Sequence, residues 1–199
     1  MGQIEVGLRL VFAALSLVVG VLCAVMACQF NSMDWDRPVT GPFAFVEVLQ
    51  SRGLREPDPQ TSVAFLQRAD QAGPRRASTQ AYLAYAYLKA DKAISPRVVG
   101  ALRTSYERMP LAPDTHEPRL RLILRHWDAM PSDVRSSAVY ELNQYLRRGY
   151  GVSSMRKFSQ TLKGSGRSVV EISLLKAQID QSLKQKALME AQQSKAAAR

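Results

Sequence analysis

The chain has 199 residues, a net charge of +10 and two cysteines, Cys23 and Cys28. Its length allows one domain with a hydrophobic core after a short N-terminal segment. Both cysteines lie in a hydrophobic stretch near the N-terminus, which excludes a disulfide or a thiolate metal site from the rest of the chain. Glu5 and Arg9 are the only charged side chains up to residue 30, so the positive excess belongs to the later residues and favours anionic partners.

The N-terminal hydrophobic stretch predicts a membrane anchor over residues 10–30, after a tail of residues 1–9. Between residues 10 and 28 the chain has 19 residues without a charge. As a helix this stretch is about 28 Å long, close to the hydrocarbon thickness of a bilayer. We therefore predict a single transmembrane helix, with a tryptophan at the membrane interface. The predicted anchor residues are Leu10, Leu15, Leu22 and Trp35.

Two other interpretations of the same stretch stay open. A cleaved signal peptide normally has a shorter apolar region of about 7–15 residues. The sequence Val-Met-Ala-Cys over residues 25–28 is similar to a bacterial lipobox, which would make Cys28 a lipidation site. In all three cases we expect the following domain on the periplasmic side of a bacterial inner membrane, although the bias of lysine and arginine across the stretch is small.

Prolines and glycines predict a linker over residues 31–60, with one short helix from Phe43 to Arg52 that ends at Gly53. Residues 61–167 then alternate short helical segments with proline or glycine breaks. Thr61 or Ser62 is the expected cap of the first helix, and Ser95-Pro96 is a favoured start for a later one. No alternating strand pattern occurs in this region, so we predict an all-α fold, a small helical bundle.

Hydrophobic spacing predicts the inner faces of the last helices. In the helix that begins at His116, apolar residues recur at i, i+3, i+4 and i+7, and they are Leu120, Ile123, Leu124 and Trp127. The next helix is predicted to bury Val134, Ala138, Leu142, Tyr145 and Leu146. Residues 168–199 predict a C-terminal helix. Its first part is expected to pack against the domain, and it is expected to fray from about Lys186 onward. Its expected packing stripe is Ile172, Leu175, Ile179 and Leu183.

Residues 101–127, ALRTSYERMPLAPDTHEPRLRLILRHW, resemble the junction between two tetratricopeptide-type repeats. Pro113 aligns with the closing proline of the repeat, and Ala101 and Leu120 take the expected small and large positions. Ser105 and Arg108 depart from the repeat's consensus aromatic and alanine, and no regular 34-residue period occurs elsewhere in the chain. The resemblance implies a fold like that of the tetratricopeptide repeats.

The longer run that continues through WDAMPSDVRSSAVYELNQYLRR resembles small membrane-anchored helical-repeat proteins of bacterial exopolysaccharide or O-antigen assembly. That family implies an accessory role in envelope polysaccharide assembly. The resemblance carries no catalytic residue.

Motifs for catalysis or cofactor binding are missing from the sequence. His116 and His126 are ten residues apart and belong to neither an HxxxH nor an HExxH motif. We interpret His126 as a surface histidine beside the core residue Trp127. The glycines of Gly164-Ser165-Gly166 predict a flexible turn rather than a phosphate-binding loop. We therefore predict a protein that is not an enzyme and has no cofactor and no metal.

Basic residues recur along the predicted domain, and solvated helix faces explain most of them. Arg119, Arg121 and Arg125 are the candidates for contact with an acidic partner or an anionic polysaccharide. Nucleic acid is a less favoured partner, because the anchor places the domain outside the cytoplasm. We predict a non-catalytic adaptor or scaffold for a membrane protein complex of the envelope, in polysaccharide assembly or export. The alternatives are an assembly or stabilising subunit of an unrelated membrane complex, and a binder of anionic glycan or lipid.

Overall fold

The computed structural model describes residue 12 and residues 14–24, 46–149 and 151–197. Every regular element in these residues is helical, which confirms the all-α prediction for them. The chain divides into two compact units, Met1–Pro74 and Arg75–Arg199. The helices from residue 46 onward are α1 (Val46–Arg55), α2 (Pro59–Ala72), α3 (Ala77–Asp91), α4 (Pro96–Arg108), α5 (His116–Arg125), α6 (Ser132–Arg147), α7 (Val152–Ser159) and α8 (Gly164–Ala197), with a 3-10 turn at Trp127–Ala129.

Residues 14–24 form the described part of the predicted anchor. They are helical, and their apolar side chains are exposed, Leu15 by 60% and Leu22 by 47%. No helix within the described ranges is both long and apolar enough to cross a membrane. Leu10, Cys28 and Trp35 lie outside the described residues.

In the first unit, α1 and α2 pack against each other around Val48, Leu49 and Ala69. The sequence predicted that α1 ends at Gly53, but the helix continues to Arg55. Gly53 is buried inside the helix, where an added Cβ would lie 2.6 Å from the side chain of Leu66. This glycine therefore allows the two helices to approach closely, and residues 46–55 belong to a packed helix pair.

Helix α2 begins earlier than the sequence analysis expected. Asp58, not Thr61 or Ser62, is its cap, and the carboxylate accepts a 2.7 Å hydrogen bond from the backbone N–H of Thr61. Pro59 takes the first helical position, where its missing N–H has no cost. The hydroxyl of Ser62 instead donates to the carbonyl of Gly53 at 2.6 Å and so joins α2 to α1.

In the second unit, α3 packs mainly against α4, and α6 lies against α4, α5 and α8. Ser95 caps α4 and Pro96 is its first residue, as predicted. The hydroxyl of Ser105 in α4 donates to the carbonyl of Ala77 at 2.8 Å, which ties α4 to the start of α3. This all-helical arrangement is compatible with a helical-repeat fold.

The predicted inner faces of α5 and α6 are largely confirmed. All but two of the predicted residues are buried: Leu120, Ile123, Leu124, Val134, Ala138, Leu142 and Leu146. Trp127 is only half-buried, because α5 ends at Arg125 and Trp127 lies in the 3-10 turn. Tyr145 is also half-buried.

The start of α8 differs from the flexible turn predicted for Gly164-Ser165-Gly166. These residues form the first turn of α8, and Gly166 is buried. A Cβ on Gly166 would lie 2.0 Å from the carbonyl oxygen of Leu124. The glycine therefore permits direct contact between the backbones of α8 and α5.

Candidate functional site

The three arginines predicted to contact a partner do not form one surface. Arg125 is exposed and Arg121 is half-buried, but Arg119 is completely buried. Arg119 lies four residues before the buried Ile123 and therefore on the inner face of α5. This corrects the expectation for Arg119, which is not accessible to a partner.

The buried partner of Arg119 is Glu141 of α6, whose side chain is also fully buried. The guanidinium forms a two-point contact: Nε donates to Glu141 Oε2 at 3.1 Å, and Nη2 donates to Oε1. Nη2 also donates to the carbonyl of Pro110 at 2.7 Å, and Nη1 donates to that of Met109 at 3.2 Å. Charges removed from water in this way stabilise a fold only when their hydrogen bonds are satisfied, as they are here.

Two further side chains complete the network around Glu141. The hydroxyl of Tyr106 donates to Oε2 at 2.8 Å, and Nδ1 of His116 lies 2.6 Å from Oε1. Burial and the nearby Glu141 carboxylate raise the pKa of Tyr106, so its hydroxyl stays protonated and remains a donor. The guanidinium of Arg119 lies over the Tyr106 ring, 3.9 Å from its centroid. The network joins α4, α5 and α6 at one point.

A histidine held by a carboxylate also occurs in enzymes, where the second ring nitrogen activates a nucleophile. No serine, threonine or cysteine of the described residues forms a hydrogen bond with His116. Nor does any group of three histidine, cysteine or acidic side chains within the described ranges lie close enough to hold a metal ion. The described geometry is that of a buried ion pair with one histidine ring beside it.

Arg121 holds two helices together rather than facing solvent freely. Its Nε donates to Glu117 Oε1 at 2.9 Å, and Ser154 of α7 donates to the same oxygen at 2.7 Å. Both contacts lower the pKa of Glu117, and the hydrogen bond from Ser154 has the larger effect. The guanidinium also lies 4.5 Å from the centre of the Phe158 ring. Of the three predicted arginines, Arg125 has the most exposed position.

The largest departure from the sequence analysis is on α8. The four apolar residues expected to pack inward are exposed to solvent, whereas Val170 and Ser173 are buried on the other face of the helix. We call the exposed set the α8 stripe. It consists of Ile172 (66% exposed), Leu175 (59%), Ile179 (49%) and Leu183 (61%).

Helix α8 also continues well past the rest of the second unit. Arg147 of α6 lies 3.9 Å from Asp180, and every side chain from residue 181 to residue 194 is exposed. This distal part is rich in alanine, lysine and glutamine, which have high helix propensity. The helix is formed to Ala197, and fraying from about Lys186 stays a prediction.

No protein-family model, curated protein or solved structure matches the chain.

Proposed function

We propose that the protein is a non-catalytic, membrane-anchored adaptor that binds an acidic helix of a membrane protein partner along the α8 stripe. The observation that carries this proposal is the exposed row of large apolar side chains on a helix that extends past its own bundle. Single exposed apolar residues are common on protein surfaces, but a continuous exposed set indicates an interaction site.

The stripe has the spacing and length of a helix-binding surface. Ile172, Leu175, Ile179 and Leu183 follow one face over three turns, about 17 Å. Burial of each such side chain contributes about 1.5–3 kcal/mol. A helix that projects from its bundle is only marginally stable in water, because most helical stability comes from packing. A partner helix would supply that packing.

The charges along α8 favour an acidic partner. Basic residues outnumber acidic ones in this helix, and Lys176 lies beside the stripe while Lys186 follows it on the same side of the helix. Charge complementarity of this kind speeds association and excludes basic partners. An acidic amphipathic helix matches both the apolar stripe and its basic surroundings.

The N-terminal segment supports the membrane-anchored part of the proposal. In residues 14–24, exposed apolar side chains occur at nearly consecutive positions and therefore on all sides of the helix. A helix that is apolar on every side is buried in a large core or in a membrane. The role in envelope polysaccharide assembly, and with it the periplasmic location, rests on the resemblance of residues 101–148 to small envelope-assembly proteins.

The structure supports an anionic-glycan surface less well. Arg119 is buried with Glu141, and Arg121 is paired with Glu117, so two of the three predicted arginines already have acidic partners. Arg125 alone does not make a patch.

The proposal is tested by affinity purification of the full-length protein from membranes in mild detergent. We expect the L175Q/I179Q variant to lose an acidic membrane protein that the wild-type chain retains. The matched control is L188Q, because Leu188 is equally exposed but lies on a different face of α8. Recovery of a polymerase, flippase or export component would support the polysaccharide role, and a different membrane complex would support the assembly-subunit alternative. Equal recovery with both variants would contradict docking along the stripe.

A further inference from the structure

A cavity of about 460 Å³ lies in the second unit, between the loop before α5 and the end of α6. Its volume is within the range typical of small-molecule sites. None of its lining residues belongs to the α8 stripe, so any ligand here is independent of the proposed partner helix. The lining residues are Leu111, Pro113, His116, Gln144, Tyr145 and Arg148.

His116 presents one ring nitrogen for a ligand in this cavity. The side chain is 8% exposed, and Nδ1 is held by the buried carboxylate of Glu141 at 2.6 Å, which fixes the orientation of the ring. Nε2 has no hydrogen-bond partner among the described residues, yet it is not sealed from solvent. Because the ring lines the cavity, its remaining hydrogen-bonding capacity is available there.

The buried network limits the repulsion that an anion would meet. Glu141 is the nearest acidic group to His116, and the guanidinium of Arg119 contacts both of its oxygens. The charge of this carboxylate is therefore largely compensated before a ligand enters. Arg148 gives the cavity positive character, and none of the lining residues that the structure describes is acidic.

Arg148 is placed to bind the charged end of a ligand. It is exposed at the end of α6, and no ion pair with another described residue holds it. Its neighbour Arg147 instead lies 3.9 Å from Asp180 and does not line the cavity. A guanidinium matches a carboxylate through two parallel hydrogen bonds.

The remaining lining residues determine which kind of ligand fits the cavity. Leu111, Pro113 and the ring of Tyr145 are apolar surfaces, and Gln144 adds one amide. A glycan needs many more hydrogen-bond partners than this lining offers. We infer that the cavity binds a small carboxylate with an apolar or aromatic body, oriented by Arg148 and His116.

The test uses the full-length protein in detergent, labelled with ¹³C in its histidine rings. The chain has two histidines, so the His126 signal serves as an internal control. We expect 2-naphthoate to shift the His116 signal with a dissociation constant on the order of 1 mM, and to leave the His126 signal in place. The neutral analogue 2-naphthamide should shift neither signal.

Two variants test which arginine binds the carboxylate of the ligand. R148Q should weaken binding about tenfold or more, because one charge-assisted contact is removed. R147Q is the matched control and should bind like the wild type. The inference is overturned if the His116 signal does not move, if the amide binds as well as the acid, if 2-naphthyl phosphate is preferred, or if both variants weaken binding equally.

Discussion

The second unit contains two regions in which the usual distribution of polar and apolar groups is reversed. Between α4, α5 and α6, the charged pair Arg119–Glu141 is completely buried. On α8, four large apolar side chains are exposed. The two regions differ in whether these groups have partners. The buried charges are paired with each other within the chain, whereas the α8 stripe is not covered by any of the described residues. The first region therefore stabilises the fold, and the second is available for binding.

The largest expected effect comes from breaking the buried pair. Glu141→Ala should destabilise the second unit by about 3–5 kcal/mol, because it leaves the Arg119 guanidinium buried without its counter-charge. Urea unfolding of the full-length chain in mild detergent measures the loss.

The control uses an exposed ion pair between α4 and α6. Arg103 of α4 lies 2.6 Å from Asp133 of α6, and both side chains are about half exposed. Arg103→Gln should cause no measurable loss, because solvent screens such pairs. Similar losses in the two variants would contradict the special role of the buried pair.

The inner face of α8 should be as intolerant of change as the core. Gly166→Ala places a Cβ 2.0 Å from the Leu124 carbonyl oxygen and should cost about 1–3 kcal/mol, because α8 must move away from α5. Gly100→Ala is the control within α4, where nothing lies within 4 Å of the added Cβ. It should stabilise the protein by about 0.5–1 kcal/mol, since alanine favours a helix interior. Thermal unfolding of both variants checks this contrast, and a loss at Gly100 as large as that at Gly166 would contradict it.

The outer face of α8 should respond in the opposite way. Ile179→Gln should change the free energy of unfolding by no more than about 0.5 kcal/mol, because the side chain is exposed and glutamine is a good helix former. The same variant should lose partner binding. A large loss of stability in the purified protein would show instead that the stripe is covered within the chain.

The smallest effect concerns pH. Contacts with Ser154 and Arg121 lower the pKa of Glu117, so its contribution to stability is present above its unfolded pKa and is lost as the pH falls through its folded pKa. Glu117 is partly exposed, so solvent screening keeps the contribution below about 1 kcal/mol. Between about pH 5 and pH 3, Glu117→Gln should lose less stability than the wild type in urea unfolding. An unchanged acid dependence would contradict the role of this contact between α5 and α7.

Local sequence signals predicted where the helices begin better than they predicted which side chains are buried. Ser95-Pro96 identified the start of α4 correctly, and Asp58-Pro59 carried the same kind of signal for α2, although the prolines there suggested a linker. The burial of Arg119 was missed because one arginine on an apolar face resembles the exposed basic residues around it. Its partner Glu141 is 22 residues away, and no local pattern connects the two.

The stripe on α8 shows a different limit of sequence reasoning. Apolar spacing at Ile172, Leu175, Ile179 and Leu183 indicates that this face favours burial, but it does not say which molecule covers it. In the structure, α8 instead packs through Gly166, Val170 and Ser173. Only the three-dimensional arrangement separates the two faces.

The most direct test of the central claim is photo-crosslinking in intact membranes. A benzophenone side chain is introduced at Ile179 in one full-length variant and at Leu188 in another, and the crosslinked peptides are identified by mass spectrometry. The adaptor account predicts a crosslink from position 179, and not from 188, to an acidic helical segment of another membrane protein. Crosslinks from position 179 to a second copy of this chain, or equal crosslinking from both positions, would contradict it.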